Sequence, residues 1–288
     1  MTIIKHELKM GRTSFLIWTS AIGFLLAVCV FLFPEMKGQM DGVSDIFASM
    51  GSFPEAFGMD RLNFGTLVGF YAIECGNVLG LGGAFYAALC AVGILSKEEK
   101  DKTAEFLLAH PVSRIRVITE KLMAVFIQIT AMNLIIYALA IGSMAIIGES
   151  IPLKEVSLLH LAYYLLQIEL TGVCFGISAF LRKGSAGVGL GIAAMMYVLN
   201  LIANIAEVAE FLKYITPFGY CDGADIVTSL KLDGVRLSIG MIIGIIGIVI
   251  AYLYNGKRME KGRVFSKWFF YWFYPVHLLI LGLIRIFM

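Results

Sequence analysis

The apolar residues of this chain come in long uninterrupted runs, and that arrangement decides which solvent it folds in. A hydrocarbon core of about 30 Å takes roughly 20 apolar residues to cross as a helix. Six runs meet that length, over residues 14–33, 71–95, 122–147, 158–181, 186–205 and 237–254. Inside a bilayer the backbone must satisfy its own hydrogen bonds, which leaves helices as the spanning form for such runs. Only 15% of the residues are charged, against the roughly 25% usual in soluble domains. The expected fold class is an all-α integral membrane protein, a bundle of six transmembrane helices. Residues 64–70 either extend the second run or lie along the outer surface. The first run is too long, and lacks the small-residue cleavage site, to be a removed signal peptide, so it reads as a retained helix.

Lysine and arginine fix the expected orientation, because loops on the cytoplasmic side carry the excess of them. With the N-terminus inside, the inner segments hold 16 of these residues and the outer segments 6. The chain therefore reads as a multi-pass protein of the cell membrane with a cytoplasmic N-terminus. A further apolar stretch, 268–288, opens with seven consecutive aromatics suited to the headgroup region and then meets Pro275. It reads either as a kinked span or as an interfacial anchor, and divides the chain into a membrane domain at 1–260 and an aromatic-rich segment at 261–288.

Other features exclude classes of function. The net charge of +2 offers nothing to nucleic acid. Cys29, Cys75, Cys90, Cys174 and Cys221 have no metal-ligand spacing, and neither do His6, His110, His160 and His277. No metal site or bound cofactor is expected. No Gly-x4-Gly-Lys-Ser/Thr loop occurs, so the chain lacks the backbone cradle that holds nucleotide phosphates. Glycines recur four apart at Gly76 and Gly80, Gly187 and Gly191, and Gly240 and Gly244, a spacing that lets helices approach closely in lipid. Two acids fall within spans, Glu74 and Glu169, the latter near Gln167. Ionisable groups at that depth point to the bundle interior and make these three residues candidates for a translocation path.

The most informative stretch lies between the second and third runs. Residues 96–116 begin with charges, continue through Phe106, Leu107 and Leu108, and break at Pro111. Proline disfavours helix at His110, and Ser113 is placed to cap the helix that follows. The result is a short amphipathic element on the inner surface, held between two spans, on which a soluble partner could push.

Glu99, Thr103, Leu107-Leu108, Pro111, Ser113-Arg114 and Lys121 together resemble the signature of ABC-2 type permeases, with Lys102 where that family usually has Gly. The segment from Ile4 to Lys9 resembles the family's N-terminal amphipathic helix, and residues 216–220 its outer loop before the last span. The resemblance covers about residues 1–260. It implies a permease subunit of an ATP-driven exporter, working with a second permease subunit, identical or not, within membrane lipid. A separate ATP-binding subunit would hold the ATP and Mg. The 96–116 segment would be the coupling element, docking through Glu98, Glu99, Thr103, Phe106, Leu107 and Arg114, with Lys5, Glu7 and Lys9 on the same surface. The implied role is force transfer, not catalysis. Residues 267–281 also resemble the C-terminal end of TraX-type membrane acetylation proteins. That keeps open a membrane-embedded acyltransferase with His277 as base, alongside a toxin-immunity protein.

Overall fold

The computed structural model describes residues 2–37, 53–97, 112–181 and 186–254. Among the described residues six helices are long and apolar enough to cross a membrane: α1 Thr2–Lys37, α2 Leu67–Val92, α3 Arg114–Ile147, α4 Leu153–Ser178, α5 Ala186–Ile205 and α6 Gly234–Leu253. No strand occurs among the described residues. By its internal contacts the chain separates into a unit Met1–Tyr252 and a second unit Leu253–Met288. The aromatic-rich segment 268–288, with His277, lies outside the described residues.

Helix length explains where the elements differ from expectation. At 1.5 Å per residue, α1 and α3 run to about 50 Å, well beyond the hydrocarbon thickness. The amphipathic N-terminal helix is therefore not a separate element. It continues without a break into the first span. Likewise α3 starts at Arg114, eight residues before the apolar run, where the side chain of Ser113 accepts a hydrogen bond from the Arg116 amide at 3.3 Å. Of residues 64–70, Leu67 onward joins α2, whose start is capped by Thr66.

The helix α4 occupies the centre. Two thirds of its apolar window is buried, against under a third for α1, α5 and α6, which turn apolar faces outwards. One face of α4 packs along α2 and α3. The opposite face takes α6 at backbone distance: a β-carbon on Gly172 would lie 2.8 Å from the carbonyl carbon of Gly244, and one on Gly176 would lie 2.8 Å from the α-carbon of Gly247. Of the Gly240 and Gly244 pair, Gly244 thus serves close helix packing as expected, while Gly240 makes room for the Glu169 carboxylate. Gly76 and Gly80 instead make room for the ring of Tyr163, and Gly191 faces open space. Midway along α2, residues Gly76–Leu81 widen into a π-helical turn.

Candidate functional site

At the end of the bundle carrying the N-terminus, three helices are fastened to the point where α2 leaves the bundle. The Glu7 carboxylate of α1 takes Lys97 at 3.0 Å on one oxygen and Lys121 of α3 at 3.4 Å on the other. Lys121 is 1% exposed and also donates to the carbonyl of Ile94. The amide of Leu95 donates to Ser178 at the end of α4, at 3.0 Å. A lysine this deeply buried is stable as a cation only with an acid and hydrogen bonds around it, and Glu7 with Ile94 supplies them.

A second tie joins α1 to α3. The first amides of any helix lack partners within it and carry its positive dipole end. Here the Glu120 carboxylate of α3 accepts from the amides of Ile3 and Ile4 at 3.2 and 3.4 Å, while Arg116 holds its other oxygen at 2.9 Å. The Arg116 guanidinium, helped by the Ile4 amide, pushes the Glu120 carboxyl down to about 2 from an ordinary 4.5. Since the folded value is the lower one, this tie is fully present above pH 4.5 and is lost as pH falls from there towards 2. Amide protection at Ile3 and Ile4 is expected to fade over that window in the native protein. In Glu120→Ala it is expected to be absent already at neutral pH, as hydrogen exchange will read.

The residues singled out from sequence divide sharply. Glu98, Glu99, Thr103, Phe106 and Leu107 lie outside the described residues. Arg114 is exposed in the first turn of α3 and pairs with no carboxylate among the described residues. Lys5 and Lys9 are exposed on α1. Glu7, expected beside them, is turned inwards, drawn by two ammonium groups. Lys97 and Glu120 were not singled out. Their signal was weak, a lysine that opens the charged run 97–102 and a Glu four residues after an Arg.

The three interior candidates do not converge. Gln167 is fully buried, accepts from Asn133 at 2.7 Å and fits against Gly83, on the face towards α2 and α3. Glu169 sits on the other face, accepting from Tyr220 at 3.0 Å and abutting Gly240 of α6. Tyr220 gets there because residues 216–220 fold back into the bundle as a buried turn, anchored by the Thr216 hydroxyl on the Met196 carbonyl at 2.7 Å. Tyr220 also lines a cavity of about 300 Å³ with Arg236 and Asp233, at the end of the bundle opposite the N-terminus. Glu74 is half-buried on α2 and takes the Cys29 thiol at 3.5 Å.

These features describe a membrane bundle with a braced element leaving it at one end, and comparison with known proteins agrees. A family profile described as ABC-2 family transporter protein matches residues 1–222. No curated protein and no solved structure matches the chain. The match spans most of the chain and includes every helix of the braced end, leaving out only α6 of the six spans, so the chain belongs to the ABC-2 transporter family and is a multi-pass permease component of an ABC transporter.

Proposed function

We propose that this chain forms the translocation pathway of an exporter and takes its energy from a separate ATP-binding subunit docked on the 96–116 segment. The observation that supports this most is the bracing of the segment's two ends. Its start is tied through Lys97, Ile94 and Leu95 to α1, α3 and α4, and its finish is the capped start of α3. A push on the segment is thereby delivered to four helices together instead of flexing a loop. Arg114, exposed and without a carboxylate partner among the described residues, would meet a carboxylate on the partner, joined by Glu98, Glu99, Thr103, Phe106 and Leu107. Lys5 and Lys9 flank that surface, and Glu7 acts from behind it as a brace.

In this reading the N-terminus faces the cytoplasm across the cell membrane, and the partner holds the ATP and Mg. The outward apolar faces of α1, α5 and α6 meet lipid and a second permease subunit. Glu169, Gln167 and Glu74 remain the path candidates, with Glu169 nearest the cavity behind Tyr220. Coupling requires the partner to bind two arrangements of the bundle with different affinity. The test is the double variant Glu99→Ala/Arg114→Ala. It is expected to insert normally while losing stimulation of the partner's ATPase. Undiminished stimulation would remove the segment from the mechanism.

A further inference from the structure

A small cavity of about 60 Å³ lies between α2, α5 and the turn 217–223, towards the end of the bundle opposite the N-terminus. At about 30 Å³ per water it has room for roughly two waters, or for the tip of a larger molecule, but not for a sugar ring. Phe57, Leu62 and Leu201, all half-buried, give it an apolar wall. The polar wall holds Asn77, Asn200, Asn204 and Asp222, with the rings of Tyr163 and Tyr197 between them. Asn77 stands in the π-helical turn of α2, a local widening of a kind that recurs at functional sites.

Most donors on that wall are already used. The Tyr163 hydroxyl donates to the Cys221 carbonyl at 3.0 Å, and the Tyr197 hydroxyl to Asn77 Oδ1 at 3.1 Å. Asn204 Nδ2 donates to the Ala56 carbonyl at 2.9 Å, which turns its Oδ1 the other way. Nor does Asp222 bring a free charge, since its carboxylate takes Arg61 at 2.7 Å on one oxygen and the Ala224 amide at 2.9 Å on the other. What remains is a surplus of acceptors. The Oδ1 atoms of Asn200 and Asn204 are both buried, and neither accepts a hydrogen bond among the described residues. Asn200 is 8% exposed and stands one turn before Asn204 on the same face of α5, so the two carbonyls line the cavity together. A buried carbonyl without a donor is costly, and a ligand that brings donors relieves both at once.

We infer that this cavity binds the neutral, hydroxyl-bearing end of an amphiphile, whose hydroxyls donate to Asn200 and Asn204 while its chain leaves past Phe57, Leu62 and Leu201. The unpaired acceptors select a donor. The lack of a free carboxylate on the wall selects a neutral donor over an ammonium, which would enter without a counter-ion. The volume selects an end with two hydroxyls, such as a glycerol ester, and the apolar wall selects an amphiphile over a free polyol. The inference stands apart from ATP-driven transport, and its test involves no ATPase.

The test measures dissociation constants of the purified full chain, in a zwitterionic detergent without hydroxyl groups, by native mass spectrometry. The probes are monolaurin, methyl laurate, dodecylammonium and free glycerol. Two hydrogen bonds of ordinary net strength correspond to about tenfold in affinity, so monolaurin is expected to bind about tenfold more tightly than methyl laurate. Asn200→Leu keeps the side chain's shape without its amide and is expected to abolish that preference. Ser238→Ala, at an exposed position on α6, is expected to leave it intact. Equal binding of monolaurin and methyl laurate overturns the inference on the native chain alone, without any variant. A preference that survives Asn200→Leu overturns the site. Tighter binding of dodecylammonium than of monolaurin overturns the choice of a neutral donor, and glycerol binding as tightly as monolaurin overturns the amphiphile in favour of a free polyol.

Discussion

Gly172→Val is expected to detach α6 from α4 and to lower the thermal stability of the purified protein more than any exposed substitution. A β-carbon at this position would lie 2.8 Å from the carbonyl carbon and 2.9 Å from the α-carbon of Gly244, and backbone cannot swing aside as a side chain can. In lipid, burial of apolar surface supplies no force between helices, so close packing is what holds them. Overpacking costs about 1–3 kcal/mol where neighbours can adjust, and the upper part of that range is expected here. The same region positions Gly240 against Glu169, so the variant also disturbs the carboxylate held by Tyr220. Gly191→Val is the matched control. Nothing lies within 4 Å of a β-carbon there, and its melting temperature is expected to stay at the native value. Equal losses in the two variants would mean that the α4–α6 contact contributes nothing.

Glu7→Ala is the second large effect. It removes the carboxylate from beside Lys121, which is 1% exposed. Breaking a buried pair from one side costs about 3–5 kcal/mol, because the remaining charge has lost its counter-ion. Lys97 loses its 3.0 Å partner in the same step, which loosens the start of the 96–116 segment. The paired variant Glu7→Leu/Lys121→Met leaves no buried charge behind and is expected to recover much of the loss. Lys5→Ala and Lys9→Ala alter exposed positions only and are expected to shift stability by about 0.5 kcal/mol at most. Thermal unfolding in one detergent ranks all four. Should Glu7→Ala melt with Lys5→Ala, the ion triad is not a brace.

The two cases also show what could be read in advance. The spans were legible because apolar length is a property of consecutive residues, and α5 matches its apolar run end for end. The start of α3 was harder to read, since Arg114 to Lys121 are helical yet largely polar, lying beyond the hydrocarbon. Ser113 nevertheless marked it, through the chemistry of a cap. The Glu7 brace was hidden because its partners stand far apart in sequence, Lys97 by 90 residues. The Tyr220 contact with Glu169 was hidden for the same reason, being made by a segment that reads as an outer loop. Glycine spacing named the right kind of contact but not its neighbour. Gly244 meets a backbone, Gly80 a tyrosine ring and Gly191 nothing, and only three-dimensional packing distinguishes them.

The most direct test of the central claim is purification of the native chain in mild detergent, with ATP hydrolysis measured on whatever accompanies it. The account predicts a stoichiometric ATP-binding subunit that turns over ATP and is released by Glu99→Ala/Arg114→Ala. A chain that purifies alone from its own membranes and supports no ATP turnover would contradict it.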